Sequence, residues 1–249
     1  MIVREAAPAS IIPRLDEGVV HIRSLWLDQE PQVSAALERF LSADERARAA
    51  RFMFERDRRH FIVCRGALRA ALGEYLDMDP PAVRFTYGRR GKPDLAEDSG
   101  LAFNVSHAAG LALLAFARTG PIGVDVESVN RRIEAEELAT RFFSEDEAKD
   151  LLTVPLPQRA EAFFNCWTRK ESYIKAIGDG LTVPLDSFSV TLVPGQPAAM
   201  RWIAGDDAHR WRIAAFAPAP GFVAAVSTSW VPESVNISFQ AGPALVSKR

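Results

Sequence analysis

Ser144-Glu145-Asp146-Glu147 repeats the pattern Ser42-Ala43-Asp44-Glu45 at an offset of 102 residues (144 − 42). Each stretch is a capping box: the serine side chain meets the backbone N–H three residues on, and the glutamate reaches back to the serine N–H. Each therefore opens a helix. Gly73 and Gly178, 105 residues apart (178 − 73), are expected to close the long helices that follow. Gly91-Lys92-Pro93 and Gly195-Gln196-Pro197 supply matching turns 104 residues apart (195 − 91). Three near-equal offsets predict two copies of one α+β unit.

Working outward, alternating or short apolar runs predict strands over 19–27, 83–87, 101–105, 111–117, 122–126, 188–193, 211–217 and 222–227. Arg89-Arg90-Gly91-Lys92-Pro93 reads as a turn, and Ser106-His107-Ala108-Ala109-Gly110 as a loop between two paired strands. The chain divides into lobes over 1–120 and 121–231, with an unpatterned tail over 232–249. A two-lobed protein places its ligand between the lobes.

The 249 residues suffice for a large core, and 48% hydrophobic with 25% charged residues is ordinary for a soluble globular protein. A net charge of −2 implies no general attraction to nucleic acid or to an anionic membrane. Arginines nevertheless concentrate over 46–69, where a local basic surface suits phosphates. Cys64 and Cys166 fall among apolar neighbours and read as buried, reduced thiols; two cysteines make no zinc cluster. There is no signal-peptide pattern and no apolar run of about 20 residues. The expected compartment is the cytoplasm.

Phe163 to Gly178 reads as a helix stopped by glycine. At about 100° per residue, Phe164, Trp167 and Ile174 lie within roughly 60° of Glu171. Its carboxylate thus sits inside the apolar stripe, which is costly unless a cation or a set of donors meets it. Lys175, one turn on and about 40° round, is one partner; a metal ion is another. Lys170 lies about 100° from Glu171, on a flank that solvent could cover.

Ile122-Gly123-Val124-Asp125-Val126-Glu127 ends a strand. Alternation puts Gly123, Asp125 and Glu127 on one face, with the carboxylates about 7 Å apart. Alone, the pair fits an exposed strand end. With Glu171 it fits a hard divalent cation, and three carboxylates without histidine or cysteine favour Mg²⁺. Lys92 in its turn, and Ser106 and His107 in theirs, are each explained equally well by solvation or local structure. Gly-x-x-x-x-Gly-Lys-Ser/Thr, Gly-x-Gly-x-x-Gly and Gly-x-Ser-x-Gly are absent, against the nucleotide folds and the hydrolase elbow that use them.

Gly91-Lys92-Pro93, Phe103-Asn104-Val105-Ser106-His107, the Asp125-Val126-Glu127 strand and Trp167-Thr168-Arg169-Lys170-Glu171-Ser172-Tyr173-Ile174-Lys175 occur in that order. In this the chain resembles the 4′-phosphopantetheinyl transferases of the surfactin-synthetase-activating type, over about residues 19–231. The resemblance implies two pseudo-symmetric α/β lobes with the active site at their interface, in a monomer. It implies Mg²⁺-dependent transfer of phosphopantetheine from coenzyme A to a serine of an apo acyl or peptidyl carrier protein, releasing adenosine 3′,5′-bisphosphate. By it Asp125, Glu127 and Glu171 match metal ligands, and Glu171, Glu127 and Lys175 the catalytic groups. Lys175 matches a pyrophosphate contact, and Lys92, Ser106 and His107 match residues that hold coenzyme A, with Lys170 beside them. Arg48 and Arg59 match the basic clamp, although His60 stands where arginine is usual. The other readings are a non-catalytic homologue that binds coenzyme A or the carrier, and another Mg²⁺-dependent phosphoryl transferase.

Overall fold

The computed structural model describes residues 2–5, 14–88, 91–178 and 183–239. Its main sheet has the order β1 (Ile2–Glu5), β12 (Ser234–Phe239), β2 (Val19–Trp26), β6 (Leu111–Ala117), β5 (Ala102–Ala108). A second sheet has the order β10 (Arg212–Phe216), β11 (Phe222–Thr228), β7 (Ile122–Ser128). β2, β6 and β5 pair antiparallel, as do β10, β11 and β7. Small hairpins accompany each sheet, β3 (Phe85–Tyr87) with β4 (Pro93–Leu95) and β8 (Phe188–Val190) with β9 (Met200–Ile203). The helices are α1 (Pro31–Glu38), α2 (Ala43–Ala49), α3 (Glu55–Leu76), α4 (Ala135–Phe142), α5 (Glu145–Thr153) and α6 (Arg159–Ile177).

Both capping boxes form, at the starts of α2 and α5. Their glutamates then go beyond capping. Glu45 accepts from Arg69 Nε at 2.6 Å, and Arg69 donates onward to the carbonyls of Pro80 and Val83. Glu147 meets Lys170 Nζ at 2.8 Å, and Lys170 donates onward to the carbonyls of Leu185 and Phe188. In each unit a buried carboxylate at the head of one helix holds a buried cation on the next, and that cation holds the loop entering the small hairpin. The internal repeat is therefore visible in matching polar contacts.

α3 packs over one sheet with Leu68, Leu72, Leu114 and Phe116 in a shared core. α6 packs with Phe163, Phe164, Tyr173 and Ile174 against Phe188 and Ile213. The opposite faces of the two sheets meet through Ile22, Leu113, Val124 and Val226. A Cβ on Gly123 would stand 2.0 Å from the Ser172 carbonyl and 2.4 Å from Ala176 N, so only glycine lets α6 lie directly on β7.

Three sequence expectations change. Gly73 lies inside α3, and Asp77 takes the left-handed cap position at φ 52°; Met78 N–H closes the turn on the Gly73 carbonyl. Gly178 does cap α6, at φ 82°. Ser106 and His107 belong to β5, because the hairpin turn is only Ala109-Gly110, both at positive φ, and the ladder runs on to Ala108. The stretch read as an unpatterned tail contains β12, which pairs parallel with both β1 and β2; its partners are too distant in sequence for local pattern to reveal. Arg89 and Arg90 lie outside the described residues.

Candidate active site

β7 carries Asp125 and Glu127 to the face against which α6 lays Glu171 and Lys175. Asp125 is 5% exposed. Its Oδ1 accepts from Lys175 Nζ at 2.6 Å and from Ser106 Oγ at 2.8 Å. Lys175 Nζ also donates to Ser106 Oγ at 3.0 Å. The lysine therefore pairs with Asp125 and not with Glu171, the partner that helical spacing alone offered. Asp125 Oδ2 and Glu171 Oε1 are buried and have no hydrogen-bond partner among the described residues.

The three carboxyls weaken one another. Burial pushes the Asp125 pKa up, against the pull of Lys175 and the two hydroxyl and ammonium donors. Burial and then Asp125 push Glu127 up, opposed by Arg131 and Lys175. Burial and then Asp125 push Glu171 up, with Glu127 adding and Lys175 opposing. Such a cluster is short of positive charge.

Those observations test the donor set for a metal. Two buried, unpartnered carboxylate oxygens and an all-oxygen set suit a hard cation such as Mg²⁺. Among the described residues, however, no three His, Cys, Asp or Glu side chains are gathered closely enough to hold one ion as they stand. Lys175 occupies Asp125 Oδ1 instead. The residues fit the ion in kind, with Glu127 and Glu171 needing to close on Asp125.

Lys92 reaches the same place from the β3–β4 hairpin: its Nζ donates to the main-chain carbonyl of Lys175, and burial, together with the Lys175 charge, lowers its pKa against the pull of Asp94. His107 is held below its ordinary pKa by burial, then by Lys175 and His60. His60 Nε2 bonds Asp28 Oδ1 at 2.8 Å, with Arg56 Nη2 at 3.8 Å from the same carboxylate. Arg59 acts on Asp28 through its charge. The first turns of α3 thus bring Arg56, Arg59 and His60 to Asp28, with His60 also acting on His107. Arg48 stands over the Phe61 ring at 5.2 Å and makes no described contact with the carboxylates.

Lys170 is not in the site. It is fully buried, its three N–H donors go to Leu185, Phe188 and Glu147, and its ammonium lies 4.2 Å from the Phe188 ring centre. The expectation that it contacts coenzyme A fails because α6 is buried on nearly every side, so the flank read as solvated faces the core. Asn104 and Arg131 were missed. Asn104 lies two residues before Ser106, and Val124 N–H donates to its side chain. Arg131 faces Glu127 and lies 5.3 Å from the Phe164 ring centre, beside a recess of about 510 Å³ lined in part by Val129, Ile133 and Ala160.

Comparison with known proteins decides the family. Residues 121–227 match the model of the 4′-phosphopantetheinyl transferase superfamily, and residues 24–119 match that of the 4′-phosphopantetheinyl transferase N-terminal domain. This chain belongs to the 4′-phosphopantetheinyl transferase superfamily. It is 40% identical to the 4′-phosphopantetheinyl transferase HetI of Nostoc sp. over 220 residues, 86% of this chain and 90% of that one. It is 34% identical to the transferase Sfp of Bacillus subtilis over 153 residues, 61% of this chain and 67% of that one. A putative 4′-phosphopantetheinyl transferase of Synechocystis sp. is 33% identical over 70% of each chain. The family has the two-domain, Sfp-like arrangement, and the two matched segments meet at the turn between β6 and β7, ahead of the strand that carries Asp125 and Glu127. No helix among the described residues is long and apolar enough to cross a membrane.

Proposed function

We propose that this 4′-phosphopantetheinyl transferase family member moves the phosphopantetheine arm of coenzyme A onto a serine hydroxyl of an apo acyl or peptidyl carrier protein, with Mg²⁺, releasing adenosine 3′,5′-bisphosphate. The observation that carries this reading is the buried, mutually repelling set Asp125, Glu127 and Glu171 facing Lys175, with two carboxylate oxygens left without donors. Those three carboxylates would hold the ion, which when bound would neutralise charge on the pyrophosphate. Lys175 and Lys92 supply fixed positive charge toward the same phosphates. Both are already held in place in the fold, Lys175 by Asp125 and Lys92 by the Lys175 carbonyl. His107, Arg59 and His60 form the neighbouring basic wall and suit the adenosine-bisphosphate end. The carrier serine must lose a proton as its oxygen attacks phosphorus. Glu171 is the acceptor we assign, since its raised pKa makes it a better base than an exposed carboxylate.

The protein would act as a monomer in the cytoplasm, with no nucleic-acid or membrane partner. The test is mass spectrometry of apo carrier proteins incubated with coenzyme A, Mg²⁺ and the protein. A gain of one phosphopantetheine, abolished by chelator, is expected. No gain across acyl-carrier, polyketide and peptide-synthetase carriers would overturn the assignment.

A further inference from the structure

We infer that Ser227 and Ser172 are positioning residues: together with Gly123 they fix the rotation of α6 about its axis, and so the place where Glu171 and Lys175 meet Asp125. For Glu171 the inference rests on the metal-dependent transfer proposed above. Ser227 stands opposite Gly123 in the β7–β11 ladder, and Ala225 stands opposite Asp125. Directly opposed residues share a face of the sheet. Gly123, Asp125, Ala225 and Ser227 therefore make one floor, and α6 lies on it.

On that floor the helix rests on backbone. It comes nearest along the line of Ser172 and Ala176, whose carbonyl oxygen and amide nitrogen would stand 2.0 Å and 2.4 Å from a Cβ on Gly123. At about 100° per residue, Lys175 and Glu171 lie roughly 60° and 100° to one side of Ser172. Both lean away from the line of contact. There Lys175 Nζ reaches Asp125 Oδ1 at 2.6 Å and the Val124 carbonyl at 3.3 Å.

Contact with bare backbone limits how near the helix comes and leaves its rotation open. A hydrogen bond is directional, and Ser172 supplies one. Its hydroxyl donates to the Arg169 carbonyl at 2.9 Å, within the helix. With that proton committed, the proton in the 2.7 Å contact between Ser172 Oγ and Ser227 Oγ comes from Ser227. Both residues are fully buried. The two hydroxyls thus form a relay from β11 through Ser172 to the helix backbone, one residue along from Glu171. A side-chain end about 5–6 Å from the helix axis moves about 1 Å for a rotation of about 10°, twice the roughly 0.5 Å that a binding constellation tolerates.

Two measurements read the placement of α6 apart from its stability. Mn²⁺ binding in the presence of coenzyme A, followed by electron paramagnetic resonance, reports Glu171. Acetylation of Lys175 in chelator, quantified by mass spectrometry against exposed Lys149, reports Lys175 without any metal. Ser227→Ala leaves Ser172 bonded within the helix, so the urea unfolding midpoint should stay near that of the wild type. Mn²⁺ should weaken about tenfold, as for groups that orient metal ligands, and Lys175 should label several-fold faster. Ser172→Ala should lower the midpoint as well, because the Ser227 proton is then buried without an acceptor. Adding Ser227→Ala to Ser172→Ala removes that orphan: the midpoint should recover while Mn²⁺ affinity and Lys175 protection stay lost. If Ser172→Ala does not fold, Ser227→Ala and the double variant carry the test. Wild-type Mn²⁺ affinity and Lys175 labelling in both would show that the serines only stabilise the fold, and would overturn the inference. A wild-type protein that binds coenzyme A but no Mn²⁺ would overturn the metal reading instead, with Lys175 labelling still deciding the role of the serines.

Discussion

Glu171 faces opposing demands. Burial and the neighbouring Asp125 and Glu127 raise its pKa, which favours a base, while Lys175 opposes them. Glu171→Gln keeps the shape and removes both the charge and the basic oxygen. We expect turnover to fall by at least about 10²-fold, with coenzyme A affinity in chelator unchanged. Single-turnover kinetics on an apo carrier would check it; full turnover with normal Mg²⁺ dependence would remove Glu171 as the base. A second residue-scale prediction concerns His21. Its Nδ1 bonds the Tyr75 hydroxyl at 3.0 Å, Nε2 is buried without a partner among the described residues, and Arg23 lies beside it with Asp16 opposing. Burial and Arg23 hold its pKa down to about 4, from 6.5. Between those values the unfolded chain binds the extra proton and the folded one does not, so stability rises with pH from about 4 to 6.5 and is lost on acidification. The contribution is up to about 3 kcal/mol. Urea unfolding at pH 4.5 and 7 should show this slope in the wild type and less of it in His21→Phe; equal slopes would refute it.

Local signals made the elements legible where one stretch of chain carries the whole cause. The capping boxes at Ser42 and Ser144 need only four residues, and alternation over 122–127 suffices to put Asp125 and Glu127 on one face. The partners of α6 could not be read that way. Its buried surface runs nearly all round, because β7 lies against it at Gly123 on one side and the β8–β9 hairpin and α5 on others, and no periodicity reports three neighbours at once. Lys170 is the cost of that blindness: a charged position that looked solvated is the inner half of a buried ion pair with Glu147. Lys170→Met leaves Glu147 buried without its cation and should cost about 3–5 kcal/mol by denaturant titration. The coenzyme A KM of the folded fraction should stay at the wild-type value, whereas a substrate-contacting lysine would raise it. An unchanged unfolding midpoint would contradict the structural role.

At the scale of the whole molecule, the two copies are unequal because the chain returns to the first after finishing the second. β12 inserts parallel between β1 and β2, with Val235 fully buried and Ile237 packed on the same apolar layer as Val20, Ile22, Val124 and Val226. That layer lies between the two sheets, so β12 ties the last residues of the second unit to the sheet of the first. Removing it bares one edge of β2 and uncovers part of the layer that joins the sheets. Burying two aliphatic side chains contributes about 3–6 kcal/mol. Chains of this size shift by about 2–4 °C in Tm per kcal/mol, so a chain ending before Ser234 should melt roughly 10 °C lower or more. The exposed β2 edge, with alternating Val20, Ile22 and Ser24, should also recruit other chains, seen as light scattering below the melting transition. A truncated protein with wild-type Tm and no added scattering would show that β12 is an appendage and that the sheets are joined without it.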